Sequence, residues 1–380
     1  MFSSLEDLIA PVSLERFRAE FQGRRPLHIP ANEARSKTAL LDWNAFNTLL
    51  GQTGIWTAQT LRLMINRVPV PASDYCQGAQ SVGGPVLRPV PQKVEVFLNA
   101  GASAVANEVQ SFNPMIAQTA TALGRAFAAQ VGANIYCSFK GVQAFGPHYD
   151  VHDVFAVQTE GEKVWRIYEN QIETPVDLPP DGPETLQWLE QSRGRLLKEV
   201  VMKPGDVLYL PRGQFHDALA TEGASLHVTF SVTPLYGRVL FSLLDNAAMQ
   251  FPQFREYFPP ADQDEGRALS AHLMRLGKLM ADLVSSSAFR DEVAMAQERL
   301  VPRPVAFNLP LQTPPQRYKL TGRPFPRGAT ADQIAYDWCA GQGDFSLEKM
   351  LAEFDFIPPH KLRRTIEAAE AAGALVRIED

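Results

Sequence analysis

The stretch GPHYDVHDVF, residues 146–155, is the starting point for the fold. His148 and Asp150 lie two residues apart in it, and residues two apart in an extended strand project from the same face. A second stretch, PGDVLYLPRGQFH at 204–216, places His216 directly after a turn that contains proline and glycine. We therefore expect a distant strand to bring His216 to the same face as His148 and Asp150.

Two histidines and one carboxylate form a metal-binding set. Held on one face of an ion, they leave the opposite three coordination positions open, which is the facial triad of non-haem Fe(II) oxygenases. The pattern is short, so an ordinary surface pair of His148 and Asp150 is the alternative. His152 shares their strand face and rivals them as a ligand, but we expect it not to bind the metal.

Residues 134–234 are typical of an antiparallel sandwich or barrel, because runs of alternating polarity are separated by turn sequences such as TEGE and KPGD. The runs are NIYCSF, VFAVQ, KVWRIYE, VLYLP and LHVTFSV. Two of them carry polar stripes at a period of two: Asn134, Tyr136 and Ser138 in the first, and His227, Thr229 and Ser231 in the last. An inward polar stripe suits a barrel that binds a polar ligand, whereas a stripe facing solvent is the alternative.

Lys163 begins the run KVWRIYE on the same face as Trp165 and Ile167. If those two side chains point inward, the ammonium group is buried and requires an anion beside it. The alternative is an ordinary hairpin lysine in solvent, directly after the turn TEGE.

The composition is that of a folded globular protein, with 45% hydrophobic residues to build a sizeable core. A chain of 380 residues favours two or three packed units. The formal net charge of -6 gives no basic excess for nucleic acid or an anionic membrane. Acidic residues in MFSSLEDLIAPVSLERF and the lack of any membrane-length apolar run predict a cytoplasmic protein without a membrane partner. Cys76, Cys137 and Cys339 have no disulfide or zinc spacing and are expected to be reduced thiols.

Helical patterns flank the β-rich block. NPMIAQTATALGRAFAAQVG predicts a long helix before it, and GRVLFSLLDNAAMQF with ALSAHLMRLGKLMADLVSSSAFRDEVAMAQERL predicts a helical region after it. A proline-rich linker, VPRPVAFNLPLQTPPQ, leads to FSLEKMLAEF, IPPHKLRRTIEAAEAAG and ALVRIED, which favour helix, helix and short strand. That order predicts a small winged helix.

These motifs carry a family resemblance. GPHYDVHDVFAVQTEGEKVWRIYE, KPGDVLYLPRGQFHDAL and SLHVTFSV, with the upstream RRPLHIP and LNAGASAVANEV, resemble the Jumonji-type (JmjC) cupins of the ribosomal oxygenase family. The resemblance covers essentially the whole chain. It implies an α+β protein with a double-stranded β-helix (jelly-roll) core in residues 1–236, a helical dimerisation region in 237–305, and a linker with a winged helix in 306–380.

The resemblance also implies a site. His148, Asp150 and His216 would be the catalytic Fe(II) ligands, and Lys163 would pair with the 5-carboxylate of 2-oxoglutarate. The remaining cofactor-binding or pocket residues would be Asn134, Tyr136, Thr229, Ser231 and His227. The implied enzyme is a homodimeric dioxygenase that hydroxylates a histidine or arginine side chain, with a ribosomal protein as the partner.

Two other functions remain open from the sequence. The same iron chemistry serves JmjC demethylases and hydroxylases of small molecules or peptides. A different class is a noncatalytic cupin that uses its winged helix as a DNA-binding regulator. Residues 321–380 hold seven Lys or Arg against ten Asp or Glu, a net charge of 7 - 10 = -3, which disfavours direct binding of nucleic acid.

Overall fold

The computed structural model describes residues 2–31, 37–139, 141, 145–180, 182–220, 223–303 and 315–378. The chain divides into two compact units, Met1–Pro234 with Val301–Val305 (unit 1) and Leu235–Leu300 with Ala306–Asp380 (unit 2). The finer division at residues 236 and 305 stays a prediction. Residues 304–314 of the proline-rich linker lie outside the described residues.

Unit 1 begins with a mixture of helices and short strands. They are α1 (Leu5–Ile9), α2 (Leu14–Glu20), β1 (Leu27–Ile29), α3 (Trp43–Gly51), β2 (Leu61–Ile65), β3 (Val68–Pro69), α4 (Ala72–Tyr75), β4 (Cys76–Ser81), β5 (Gly84–Pro89), α5 (Pro91–Asn99), β6 (Ser103–Ala106) and α6 (Pro114–Phe127), with 3-10 turns at Lys37–Leu40 and Val109–Ser111. Asn113 starts α6 because its side-chain oxygen accepts hydrogen bonds from the backbone N–H groups of Met115 and Ile116.

Helix α6 is shorter than the sequence pattern predicts. It ends at Phe127, Ala128 adopts a left-handed conformation with φ 49°, and a strand begins at Ala129. The alanine-rich pattern predicts that the residues AQVG, 129–132, continue the helix, but in the structure they alternate between buried and more exposed positions of a strand. Their conformation is decided by pairing with a neighbouring strand along its whole length, and such pairing is not visible in the local sequence.

The β-rich part of unit 1 is a sandwich of antiparallel sheets, as predicted. Its elements are β7 (Ala129–Phe139), β8 (Asp153–Glu160), β9 (Lys163–Gln171), α7 (Pro183–Ser192), β10 (Leu196–Met202), β11 (Val207–Leu210), β12 (Gln214–Leu219) and β13 (Ala224–Pro234). One sheet has the order β1-β11-β8-β13-β7-β6-β2-β3 and the other β10-β9-β12. A shared apolar core from β8 and β11 of the first sheet and β9 and β10 of the second holds them together. Helix α7 and strands β10 and β12 were not predicted individually.

The register of β7 and β13 sets the two polar stripes side by side. Asn134 lies opposite Thr229 and Tyr136 lies opposite His227. Directly opposed residues of an antiparallel pair project from the same face, so the stripes form one polar surface. The large apolar side chains of the other face belong to the main core of unit 1, which agrees with the inverted pattern expected of a ligand-binding barrel.

Unit 2 is largely helical. Its elements are α8 (Val239–Ala248), α9 (Arg267–Ser285), α10 (Ser287–Leu300), β14 (Arg317–Leu320), α11 (Thr330–Gln342), β15 (Asp344–Ser346), α12 (Leu347–Glu353), α13 (Pro359–Ala371) and β16 (Leu375–Ile378), with 3-10 turns at Pro252–Arg255 and Asp264–Gly266. The sheet order is β15-β14-β16, and this sheet shares a separate apolar core with α11, α12 and α13. Of the helices described in either unit, none is both long enough and apolar enough to span a membrane.

Candidate metal centre

Three predicted ligands converge in unit 1. His148, Asp150 and His216 each offer a donor atom, and these atoms lie within 4.8 Å of one another. Nε2 of His216 is 3.6 Å from Oδ2 of Asp150, and the centroids of the two imidazole rings are 4.4 Å apart. In the part of the chain that the structure describes, these three residues are the one group of at least three histidine, cysteine or acidic side chains whose donor atoms lie close enough together to hold one ion.

Backbone hydrogen bonds bring the three residues together. His148 lies in an isolated bridge rather than in the regular strand that the sequence predicts, because β8 begins only at Asp153. The N–H of His148 donates to the carbonyl of His216 (3.0 Å), and the N–H of His216 donates to the carbonyl of His148 (2.8 Å). The N–H of Gly213 also donates to the carbonyl of Asp150 (2.8 Å), so the turn before β12 fixes both ligand segments.

The hydrogen bonds of the two imidazoles leave one nitrogen of each for a metal. Nδ1 of His148 lies 2.8 Å from the carbonyl oxygen of Gly146, and Nδ1 of His216 lies 2.9 Å from that of Gln214. A carbonyl only accepts, so each Nδ1 carries the proton and each Nε2 keeps its lone pair. Trp165 stacks on His216 at 5.7 Å between centroids and fixes the plane of the ring.

The electrostatics of the cluster also fit a cation. Burial works to raise the pKa of Asp150, but His152, His216 and His148 outweigh it, so that the pKa lies below its usual value. Burial, reinforced by His148, lowers the pKa of His216 to about 4. At neutral pH the site therefore presents one carboxylate and a neutral His216 imidazole, and this donor set suits a divalent transition metal.

The other predicted residues surround the same centre. A pocket of about 120 Å³ is lined by the three ligands and by all of Asn134, Tyr136, Lys163, His227, Thr229 and Ser231. His152 also lines it, but its nitrogen atoms do not belong to the described donor cluster, and its nonligand role stays a prediction. Residues of β7, β9, β12 and β13 that the strand periods and the family resemblance singled out thus line one pocket.

Lys163 is the buried cation that the period of β9 predicts. It is 4% exposed, and its Nζ donates to Oγ of Ser138 at 3.0 Å. Within the described parts of the chain, no carboxylate forms an ion pair with it. Burial lowers the pKa of Lys163 to about 7, although Cys137 opposes the shift. An anionic ligand beside Lys163 would relieve the cost of burying its charge.

Tyr136 and His227 form the wall next to Lys163. Their rings stack at 4.9 Å with an interplanar angle of 6°, and Nζ of Lys163 lies 5.9 Å from the Tyr136 centroid. Burial raises the pKa of Tyr136, and burial holds the pKa of His227 well below its ordinary value. Oδ1 of Asn134 accepts a hydrogen bond from the N–H of Glu108 at 3.1 Å, which fixes the amide at the pocket edge.

Sequence reasoning left several pocket residues unassigned. Phe145, Val154 and Ala218 supply apolar lining, and Ser138 supplies the partner of Lys163. Ser138 lies on the polar stripe of Asn134 and Tyr136, so the period of two was a usable signal for it. Phe145 directly precedes GPHYD, but nothing in its sequence position distinguishes a pocket wall from a loop.

A second cavity has different chemistry. It is a groove of about 390 Å³ between α3 and α5, with walls that include Leu50, Trp56, Leu61 and Leu98 and with Glu95 as its ionisable lining residue. It is larger than the pocket at His148, but it offers no set of metal donors among the residues that line it. Size alone is therefore a poor guide to the functional site in this chain.

Comparisons with known proteins agree with this site. Residues 107–239 match the family model described as the JmjC domain. The chain is 30% identical over 262 residues to a Dictyostelium discoideum protein named bifunctional lysine-specific demethylase and histidyl-hydroxylase NO66, covering 67% of this chain and 49% of that one. It is 31% identical over 225 residues to Gallus gallus ribosomal oxygenase 1, covering 59% and 35%. The chain thus spans half or less of the length of these relatives.

A solved structure extends the likeness in fold over nearly the whole chain. YcfD, a ribosomal oxygenase from Escherichia coli, superposes with a TM-score of 0.52 at 16% identity, covering 97% of this chain and 99% of that one. At that identity the likeness establishes the fold alone, a cupin barrel with its large antiparallel sheet. Residues 107–239 therefore form a JmjC domain, and the relatives that match this chain include proteins named ribosomal oxygenase and NO66 histidyl-hydroxylase.

Proposed function

We propose that this chain is an Fe(II)- and 2-oxoglutarate-dependent oxygenase that hydroxylates a protein side chain. One observation carries the proposal: the cluster of His148, Asp150 and His216 opens into a pocket that also contains the buried cation Lys163. A facial triad leaves coordination positions of the metal open for an anionic cosubstrate. The buried cation in the same pocket would bind another anionic group of that cosubstrate. The names of the curated relatives as oxygenases and hydroxylases support the same interpretation.

The ligand residues fit the metal by their chemistry. His148 and His216 would bind through Nε2, since each Nδ1 is occupied by a backbone carbonyl. Asp150 would supply the carboxylate. Such hydrogen bonds to the distal imidazole nitrogen fix the orientation and the tautomer of metal-bound histidines.

The pocket residues divide the remaining work. Lys163, held by Ser138, would bind the distal carboxylate of 2-oxoglutarate through a charge-assisted hydrogen bond. We assign the polar stripe of Asn134, Tyr136, His227, Thr229 and Ser231 to the cosubstrate and the target side chain. The apolar Phe145, Val154 and Trp165 would exclude water from the reacting carbon.

When bound, Fe(II) and 2-oxoglutarate supply the oxidising chemistry, in which decarboxylation of the cosubstrate is coupled to insertion of oxygen into a C–H bond. The contribution of the chain is to bind, to orient and to keep the pocket dry. The stacked rings of Tyr136 and His227, and of Trp165 and His216, make the wall stiff. A stiff wall holds a target carbon near the metal at little entropic cost.

We propose a histidine or arginine of a ribosomal protein as the target. The relatives include proteins named histidyl-hydroxylase and ribosomal oxygenase. The net charge of -6 complements a basic protein segment. One relative is also named a lysine-specific demethylase. Mass spectrometry separates the two reactions, since hydroxylation adds one oxygen atom to the peptide and demethylation removes a methyl group.

We also propose that the protein is a cytoplasmic homodimer whose residues 237–305 provide the dimer contact. Helices α8 and α9 and the segment between them expose large apolar side chains: Phe241, Met249, Phe251, Tyr257, Phe258, Leu273, Met274, Met280 and Val284. An apolar set of this size favours association. The three cysteines are unpaired and buried, as suits a reducing compartment.

The C-terminal part of unit 2 would act as a winged-helix module for packing or protein contact. Its three-stranded sheet and helices α11 to α13 support the assignment. The net charge of residues 321–380 opposes a role in DNA binding, since a DNA reader needs a basic footprint.

The experiment that tests the oxygenase function needs no substrate. Purified protein is titrated without oxygen with Fe(II) and 2-oxoglutarate, and the visible charge-transfer band of the chelate is recorded. We expect a band in wild type that is lost in His216→Ala and that requires at least about tenfold more 2-oxoglutarate in Lys163→Ala. Lys198→Ala, at an exposed lysine of β10, is the matched control and should behave as wild type. A folded wild type without the band would contradict the proposal.

A further inference from the structure

The hairpin between β2 and β3 carries an arginine in an unusual backbone conformation. Ile65 pairs with Val68, so Asn66 and Arg67 form a two-residue turn. Their φ angles are 49° and 69°, both in the left-handed region. Glycine commonly takes the second of these positions because a side chain there is strained. An arginine in this place suggests that its side chain makes a contact that offsets the strain.

The Arg67 side chain packs on Gly146. A Cβ atom placed on Gly146 would lie 3.3 Å from Nη1 of Arg67, 3.5 Å from its Cδ and 3.6 Å from its Cζ. The guanidinium group and the end of its stem therefore border the space where a side chain at position 146 would begin, and a methyl group there would be in tight contact with Nη1. Gly146 has no left-handed backbone angle, so this close approach, rather than its conformation, is what favours glycine there.

Gly146 is also the residue that orients a metal ligand. Its carbonyl oxygen accepts a hydrogen bond from Nδ1 of His148, which leaves Nε2 for the metal. The neighbouring Phe145 packs its ring against Tyr136 (6.2 Å between centroids) and His148 (6.0 Å). A shift of Gly146 would thus move both the hydrogen-bond partner of His148 and a wall of the pocket.

Side-chain contacts hold the described part of this segment before His148. Within the described residues, the first backbone hydrogen bond after Phe145 that ties the segment to another strand is that of His148 to His216. Before that bond, the ring contacts of Phe145, the hydrogen bond of His148 to Gly146 and the packing of Arg67 on Gly146 contribute to its position. The contact is long range, because residue 67 belongs to a hairpin at the far end of the large sheet.

We propose that Arg67 is a positioning residue for the metal centre, which acts through Gly146 on the orientation of His148. The inference rests on the proposed metal-binding function. Arg67 does not belong to the donor cluster. It packs against Gly146, whose carbonyl oxygen accepts the hydrogen bond that orients His148. Partners of ligating histidines affect metal affinity by about 10–100-fold when they are disturbed.

The test measures Co(II) binding, which reports on the ligand geometry without turnover. Co(II) is titrated into wild type, Arg67→Ala, Gly146→Ala, the double variant and Arg16→Ala, an exposed arginine of α2 that serves as control. Affinity and the visible Co(II) absorption spectrum are recorded, with circular dichroism to verify folding. We expect Arg67→Ala to weaken Co(II) binding at least about tenfold and to change the spectrum, and Gly146→Ala to act in the same direction but more weakly, because the tight contact of its methyl group is with the end of the Arg67 side chain.

The double variant provides the sharpest outcome. In the Arg67→Ala background, the methyl group introduced by Gly146→Ala enters the space that the guanidinium vacated, so the second substitution should add little further loss. Two losses that simply multiply, or an Arg67→Ala protein that binds Co(II) like the Arg16→Ala control, would overturn the inference. Loss of thermal stability with unchanged affinity and spectrum would also overturn it. A wild type that binds no Co(II) would instead remove the metal site, and the inference with it.

Discussion

At the scale of single residues, Lys163 links the charge of the pocket to pH. Burial lowers its pKa to about 7, so the free protein loses the ammonium form as pH rises through neutrality. A dianionic cosubstrate binds the ammonium form of Lys163. Above the pKa of Lys163, its binding is therefore coupled to the uptake of a proton by the lysine. We expect the affinity for 2-oxoglutarate to be nearly constant below about pH 6 and to fall by up to about tenfold per pH unit above about pH 7. Chelate titrations across this range provide the measurement.

The control for that prediction is Lys163→Arg. A guanidinium stays protonated throughout this range, so the pH dependence should vanish even if the larger side chain lowers the affinity overall. His216 does not interfere, since its pKa of about 4 lies below the window. A wild-type affinity that is flat with pH, or one that falls equally in the arginine variant, would show that Lys163 is not the titrating contact.

A second residue-scale prediction concerns the strand that carries His216. The hydroxyl of Tyr168 donates to Oδ2 of Asp217 at 2.5 Å, and both side chains are buried. Burial raises the pKa of Tyr168 to about 12, so the hydroxyl keeps its proton. Arg166 lies 4.0 Å from Oδ1 of Asp217 and makes no hydrogen bond to it. Removal of the Tyr168 donor therefore leaves a buried carboxylate poorly satisfied.

We expect Tyr168→Phe to lower the free energy of unfolding by about 1–3 kcal/mol, measured by urea denaturation. Tyr257→Phe is the matched control, because it removes only an exposed hydroxyl and keeps the apolar ring on the proposed dimer surface, so stability should change by less than about 0.5 kcal/mol. Equal stability of the two variants would mean that the Tyr168 hydrogen bond to Asp217 has no net value.

The sequence identified the residues whose chemistry follows from strand period. The spacing of His148 and Asp150 predicts that they converge, and they do, although backbone hydrogen bonds rather than a regular strand position them; the inward direction of Lys163 followed from Trp165 on the same face. The contact of Arg67 with Gly146 could not be found in this way, because it depends on the packing of a distant hairpin. The hydrogen bond of Lys163 to Ser138 could not be predicted from the period of β7 alone, because it also depends on where β7 lies in space.

At the scale of elements, the turn between β11 and β12 couples two ligand segments. Gly213 has φ 83°, and its N–H donates to the carbonyl of Asp150 while β12 goes on to His216. A Cβ on Gly213 would collide with the carbonyl oxygen of Ile172. Both the backbone angle and the space therefore require glycine at this position.

We expect Gly213→Ala to destabilise the protein and to weaken Co(II) binding about tenfold or more, since it displaces the partner of Asp150. Gly223→Ala is a close control: Gly223 also has a positive φ of 61°, but among the described residues no atom lies within 4 Å of its Cβ position. That variant should cost only the backbone strain, about 1–2 kcal/mol, in urea denaturation and leave Co(II) binding unchanged. Equal effects of the two variants would exclude the proposed coupling.

The prediction of secondary structure was wrong where strand pairing, rather than the local sequence pattern, sets the conformation. The end of α6 was extended into β7, although Ala128 turns the chain there through a left-handed angle. Strand β10 was missed because Leu196 and Leu197 are both exposed and break the alternation at its start. The turn sequences before β9 and β12 were informative, since their glycines at 161 and 213 adopt positive φ.

At the scale of the whole molecule, both units expose large apolar side chains, but in unit 2 these are concentrated in residues 239–285. Unit 1 buries its polar stripe in a pocket, whereas residues 239–285 of unit 2 leave large apolar side chains in contact with solvent. Composition alone could not locate that surface, because the apolar period of α8 and α9 fits a buried face equally well. The exposed fractions of Phe241 (67%) and Met274 (73%) are what distinguish the two cases.

If this surface is a dimer contact, charges placed on it should separate the subunits. We expect wild type to have the mass of a dimer in light scattering coupled to size exclusion, and the variant with both Phe241→Glu and Met274→Glu to have the mass of a monomer, since burial of unpaired carboxylates is costly. Val82→Glu tests the effect of a charge at another fully exposed apolar residue and should remain dimeric. The Fe(II) and 2-oxoglutarate chelate band should persist in the monomer, because all pocket residues lie in unit 1. A wild type that is monomeric at high concentration, or a double variant that remains dimeric, would contradict this contact.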